Sequence, residues 1–334
     1  STPIKSSAAS DVYKRQALIH VLEENLQYWE SLYGASESEI GVARRFNGVI
    51  RRAAEKTGKN VVVLVDEYDK PILDVLDVDK SLEEEHRNIL KSFYSVFKGA
   101  DEHLQFVFLT GVTKFSQVSV FSGFNQPFDI SMHGRYETLC GITQEELDVT
   151  FREPMESMAE VYQCSYEEMR NRLKAQYDGY HFSKNMTDIY NPFSLLNAFA
   201  TLDISDYWFK SGTPTYLIRL LSHTNENMDE ITGKFYFPEE FIDYKANVEQ
   251  PLPMIYQSGY LTIKKFDLRR NMFLLDYPND EVKKGFLSLV ASSYFNTRES
   301  IYSWVNNAAD NRQLYKVGAV FSSETGTISD WKQV

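Results

Sequence analysis

Cysteine is scarce. Cys140 and Cys164 are the only two in 334 residues. They form no metal-ligand spacing, and such an isolated pair is expected as two buried thiols in a reducing compartment. No apolar run approaches the roughly 20 residues that a membrane-spanning helix needs. The first residues carry no apolar signal-peptide core either, so the expectation is a cytoplasmic protein without a membrane partner. Positive charge is also short: 35 Lys and Arg against 47 Asp and Glu leave a formal net charge of -12. That balance argues against a broad nonspecific nucleic-acid surface, though a local basic groove fits within it.

A phosphate-binding loop is missing as well. Such a loop needs a Gly-rich turn with Lys and Ser/Thr, whose backbone N–H groups and ammonium neutralise phosphates. Gly58-Lys59 is followed by Asn60 and has Ala53 where the first Gly belongs. Gly233-Lys234 is followed by Phe235 and has Met228 in that place. His20, His86, His103, His133 and His223 are scattered and make no ligand set.

What is present is an ordinary globular composition, 43% hydrophobic and 25% charged, with 21 Tyr and 22 Phe to build large cores. Residues 1–10 are small and polar without periodicity and read as disordered. Asp11-Val12-Tyr13-Lys14-Arg15-Gln16 looks like translated transposon-end sequence from a sequencing library. The stretch 1–16 is therefore expected to be an artefact, with the natural chain beginning further upstream; a natural floppy terminus is the alternative. From Ala17 helical periodicity sets in through Leu18, Val21, Leu22, Leu26 and Trp29. A second helix is expected over about 40–56, with Phe46, Val49, Ile50 and Ala53 on one face. Arg44, Arg45, Arg51, Arg52 and Lys56 line the other, a stripe that reads as a solvated face or a nucleic-acid contact.

Val61-Val62-Val63-Leu64-Val65 predicts a strand buried on both faces. Ser81-Leu82-Glu83-Glu84 predicts a capped helix, and Phe106-Val107-Phe108-Leu109 a second buried strand. Strand, helix and strand in this order predict a parallel βαβ unit. Thr143 to Glu146 and Ser165 to Glu168 are two further capping boxes, in a region of helical character. Strands are expected again at 259–263 and 272–275, followed by a helix capped by Asn279 or Asp280.

The chemistry-bearing pattern is the apolar strand ending in Asp66-Glu67, the form of a Walker B strand. A carboxylate at the carboxyl edge of a parallel strand can hold Mg²⁺ against the β- and γ-phosphates. The adjacent carboxylate can polarise an attacking water. Asp66 takes the metal role and Glu67 the base role in this reading; a strand whose terminal acid merely caps a turn gives the same pattern. Thr110 and Thr113, beyond the neighbouring strand, could touch the γ-phosphate or the water, or serve as ordinary turn hydrogen-bonders. Arg135 could act on phosphate charge or form a structural ion pair. Asp280-Glu281-Val282-Lys283 mimics a nuclease signature, but its position at a helix start favours capping.

These residues give the chain a resemblance to bacterial AAA-ATPase-like proteins that carry a C-terminal PD-(D/E)XK nuclease-like domain. The resemblance rests on Val65-Asp66-Glu67-Tyr68-Asp69-Lys70-Pro71 and Leu109-Thr110-Gly111-Val112-Thr113-Lys114-Phe115-Ser116. It continues through Arg135-Tyr136, Tyr177-Asp178-Gly179-Tyr180-His181-Phe182, Tyr190-Asn191-Pro192-Phe193-Ser194, Tyr207-Trp208-Phe209, Ser211-Gly212-Thr213-Pro214 and Tyr256-Gln257-Ser258-Gly259-Tyr260-Leu261. It implies a phosphate loop upstream of Ala17. It also implies a nuclease core between residues 300–305 and 315–331, where residues 306–312 join the two directly, as after an internal deletion.

The expected fold class is α/β. A partial P-loop-type parallel sheet with flanking helices occupies 17–135, a mainly helical domain 136–234, and a small mixed α/β remnant 235–334. The intact parent is expected to bind and hydrolyse ATP with Mg²⁺ and to act on a nucleic acid or protein client. This chain is expected to bind neither cofactor and to be inactive. The alternative is a non-enzymatic binding or regulatory module that recognises a protein or nucleic acid.

Overall fold

The computed structural model describes residues 6–76, 79–114, 127–210, 217, 231–242 and 251–295. It divides into two units, residues 1–128 with 244–246 and residues 129–243 with 247–334.

In the first unit, helix α1 spans Ser6–Tyr33 and α2 spans Val42–Thr57. Residues 6–16, expected to be disordered, are the opening turns of α1. No Gly or Pro interrupts residues 6–33, and the small residues Ala8 and Ala9 favour helix. Gly58 stops α2 in the left-handed region at φ 66°, where glycine carries no Cβ penalty. The chain then enters strand β1 (Val61–Val65), the short helix α3 (Lys70–Leu73), α4 (Lys80–Tyr94), α5 (Val96–Gly99) and strand β2 (Leu104–Leu109). The α4 cap is Asp79, which accepts from the Ser81 and Leu82 N–H groups at 2.7 and 3.3 Å. A side-chain acceptor so placed displaces the Ser81 box expected from sequence. Phe46 of α2 centres the core: it stacks on Phe93 at 4.5 Å and meets Phe97 edge-on at 5.8 Å and Trp29 at 5.9 Å.

β1 and β2 pair in parallel, Val62 opposite Phe106 and Val65 opposite Leu109, as the strand–helix–strand order predicts. Among the described residues the sheet has two strands, which neither completes nor excludes the expected partial P-loop-type sheet. One expectation fails here, burial on both faces: Val62, Leu64 and Phe106 are 53%, 70% and 54% exposed. With period two, only the face of Val61, Val63 and Val65 is partly covered.

The second unit opens with β3 (Ile142–Thr143), α6 (Gln144–Thr150), α7 (Arg152–Val161), α8 (Tyr166–Tyr177), β4 (Ile189–Tyr190), α9 (Pro192–Thr201) and α10 (Tyr207–Lys210). The Thr143–Glu146 capping box forms with both halves present; at Ser165 the hydroxyl accepts from Glu168 N–H at 3.1 Å. Leu147, Met155, Met158, Met169, Leu173 and Tyr177 fill this core, each fully buried. A three-stranded antiparallel sheet follows, ordered β5 (Lys234–Tyr236), β7 (Met272–Asp276) and β6 (Thr262–Asp267). Helices α11 (Pro238–Phe241) and α12 (Leu252–Gln257) lie between β5 and β6 in sequence, and α13 (Asp280–Phe295) follows β7. Asn279 caps α13, accepting from Val282 N–H at 3.1 Å, which settles the 280–283 string as a helix start rather than a nuclease strand edge. Phe273 packs between Phe266 at 4.7 Å and Phe241 at 5.7 Å. The cysteines depart from expectation: Cys140 is exposed and Cys164 half-buried. The motifs at 115–116, 211–214, 300–305 and 315–331, and His223, lie outside the described residues.

Candidate functional site

The parallel pairing of β1 and β2 brings both strands' carboxyl ends to one edge, and hydrogen bonds continue past it. Thr110 N–H donates to Val65 O at 2.8 Å, and Tyr68 N–H to Thr110 O at 2.9 Å. The Thr110 hydroxyl donates to Asp66 Oδ1 in a short contact and accepts from Glu67 N–H at 3.3 Å. Asp66 and Glu67 are exposed there. Glu67 has φ 52°, a left-handed conformation that is uncommon for a residue with a Cβ. Asp66, Glu67 and Thr110 are thus brought together as the sequence predicts.

Thr113 is placed differently. It is 2% exposed, its hydroxyl donates to Asp69 Oδ2 at 2.8 Å and its N–H to the same oxygen at 2.5 Å. Val112 N–H adds a third bond, to Asp69 Oδ1 at 3.2 Å, and Tyr68 O–H donates to Thr113 O at 2.8 Å. The turn-bonding reading describes Thr113; it reaches the site through Asp69.

Asp69 is the residue that sequence reasoning missed. It is completely buried, and its carboxylate ties the turn after β1 to the turn after β2. Burial and the Asp69 charge together push the Tyr94 phenol above its ordinary value. Gly111 permits the close approach: a Cβ there would stand 2.6 Å from the Tyr68 ring and 2.7 Å from Asp69 Oδ1. The only sequence signal was the acid three places after Asp66 in the Asp66-Glu67-Tyr68-Asp69 string, which reads as a polar loop when taken alone.

The donor set is all oxygen, a carboxylate and a hydroxyl beside it, as suits Mg²⁺, which commonly uses one or two protein carboxylates plus phosphate oxygens. A full protein cage is not what these residues form: among the described residues no three of His, Cys, Asp or Glu gather as a metal set.

Three members of the basic stripe of α2 are engaged elsewhere. Arg45 holds Glu30 of α1 through two bonds of 2.9 and 2.8 Å, Arg52 pairs with Glu39 at 2.6 Å, and Lys56 donates to Leu32 O at 2.6 Å. In the second unit Arg135 makes no ion pair among the described residues, so the structural pair expected for it is not found; its N–H donates to His133 Nδ1 at 3.2 Å.

Comparison with known proteins bears on the first unit. Residues 5–121 match the family model of AAA-ATPase-like proteins, described as a predicted AAA-ATPase. This AAA-ATPase-like segment contains Asp66, Glu67, Asp69, Thr110 and Thr113, and it begins within the stretch expected to be artefactual. The chain is also similar to an uncharacterized protein encoded in the vnfD 5′ region of Azotobacter chroococcum mcd 1. The two are 36% identical over 257 residues, which cover 74% of this chain and 47% of that protein. The chain thus spans about half the length of the curated relative it matches. No solved structure matches the chain. Among the described residues no helix is long and apolar enough to cross a membrane.

Proposed function

We propose that the AAA-ATPase-like segment serves an ATPase in the whole protein, with Asp66 and Thr110 on the metal side and Glu67 activating water. The observation that carries this reading is the Thr110–Asp66 hydrogen bond across the carboxyl edge of a parallel strand pair, where α/β proteins place phosphate chemistry. Asp66 would hold Mg²⁺, which when bound would supply positive charge to offset that of the phosphates. Thr110 fixes the Asp66 carboxylate and also accepts from the Glu67 N–H, which holds the two acids at one edge. Asp69 positions Thr110 indirectly, by bracing the 110–113 turn. Glu67 is exposed and free to take a proton from water.

These acids do not by themselves hold a triphosphate, because like charges repel without a metal and donors between them. The cradle is proposed to come from sequence outside these 334 residues, in keeping with a relative of which the match covers only 47%. The 334-residue chain is therefore expected to show no ATP turnover and, if the nuclease core is missing from it as the resemblance implies, to leave duplex DNA uncut in Mg²⁺. The test is nucleotide binding by a version extended upstream to its genomic start. Binding that needs Mg²⁺ and is lost in Asp66→Ala supports the reading. No nucleotide binding or turnover by the extended form would instead favour a binding or regulatory module with structural acids, and binding and turnover unchanged in Asp66→Ala would remove Asp66 from the metal role.

A further inference from the structure

Two motifs a hundred residues apart in sequence meet in the second unit. Tyr177-Asp178-Gly179-Tyr180 leaves α8, and Pro278-Asn279-Asp280 enters α13. Asn279 Nδ2 donates to Asp178 O at 3.0 Å, and Lys264 Nζ on β6 bridges Gly179 O and Pro278 O at 2.9 and 2.8 Å. Gly179 makes this possible: at φ 90° it sits where a Cβ would stand 2.5 Å from Pro278 O. The segments border a cleft of about 440 Å³, within the size of small-ligand sites.

Its wall holds a buried carboxylate. Asp178 is 1% exposed, lines the cleft, and neither carboxylate oxygen accepts a hydrogen bond of ordinary geometry, the Gly179 N–H and the Lys174 ammonium lying nearby. Burial raises its carboxyl above the usual carboxylate range, opposed in part by the adjacent Gly179 N–H and by Lys174. Leaving such a group unpaired is costly. The neighbouring basic groups are engaged. Lys174 Nζ bonds Asp188 at 2.9 Å and stands 3.7 Å from Asp178, beyond hydrogen-bond reach. His181 Nε2 lies 2.7 Å from the same Asp188. Lys264 is held by its two carbonyls. Asp276 and Asp280 add further negative charge to the lining, against Lys283.

We propose that this cleft binds a guanidinium group, with Asp178 as its anchor. Two unpartnered oxygens on one carboxylate match the parallel N–H pair of a planar guanidinium, which a single ammonium does not reproduce. Lys174 keeps its bond to Asp188 and yields its place near Asp178 to the ligand. The source is either a free guanidine or an arginine side chain of a protein, and the chemistry is shared.

Titration calorimetry on the full chain tests this with three probes: agmatine, a tripeptide with a central arginine and blocked ends, and N-butylurea. The urea copies the planar head without its charge. Agmatine or the peptide should bind saturably, the urea should not, and Asp178→Asn should weaken binding roughly tenfold or more. The tighter of the two guanidines identifies the source. The proposal is overturned if neither guanidine binds, if the urea binds equally well, or if a folded Asp178→Asn binds as before. Should that variant fail to fold, the comparison with the urea decides alone.

Discussion

At the scale of single residues, the two aspartates of the Asp66–Asp69 string divide structure from chemistry. Asp66 is exposed and bonded to one hydroxyl, whereas Asp69 is buried and accepts three bonds from the 112–113 turn. Removing Asp69 strands buried donors, and removing Asp66 does not. Asp69→Ala should therefore lower unfolding free energy by on the order of 3 kcal/mol. Asp66→Ala should stay within about 1 kcal/mol of the parent. Urea unfolding of both variants checks this, and equal losses would refute the division. Asp66 and Glu67 were legible because a five-residue apolar run ending in two acids is a local pattern. Asp69 and Asp178 were not, since what distinguishes each is burial against chain 43 or more residues away, which no local spacing encodes.

At the scale of elements, a buried carboxylate in α13 ties three helices together. Glu281 is fully buried, accepts from Ser194 Oγ of α9 at 2.7 Å and from Trp208 N–H of α10 at 2.8 Å. Burial pushes its carboxyl up to about 7, with Asp206 nearby adding to the rise and the Ser194, Trp208 and Tyr207 bonds opposing it. A folded value above the unfolded one near 4.5 means the native state binds more protons between them. Stability from this group is complete below pH 4.5 and lost as pH rises toward 7. Thermal unfolding of Glu281→Gln should accordingly vary less across that window than the parent; an identical pH profile would contradict the bracket. Helix boundaries themselves were largely legible. Gly58, Thr143 and Asn279 act through hydrogen bonds and dihedrals within four residues. The Asp79 cap escaped notice because Ser81 offered an equally good local pattern.

At the scale of the whole molecule, the net charge of -12 and the pinned arginines of α2 act in the same direction. Arg45 and Arg52 are held by Glu30 and Glu39, so these two are not available to release counterions from a phosphate backbone. Random-sequence duplex DNA should show no mobility shift even at about 50 mM salt, where nonspecific binding is strongest. A salt-sensitive shift at that ionic strength would mean a basic surface exists elsewhere. The parallel pairing of β1 with β2 followed from element order. The exposure of Val62 and Leu64 did not, because a run of aliphatic residues reads the same whether one face or both are covered.

The backbone at Glu67 has a consequence that separates folding from chemistry. A glutamate at φ 52° holds a shape that glycine adopts with less strain. Glu67→Gly should leave the stability of the fold within about 1 kcal/mol of the parent, while removing the one carboxylate assigned to water. An extended, ATP-binding form carrying that change would keep its nucleotide and its melting point and lose only turnover. If it melts early instead, the glutamate side chain was serving the turn itself.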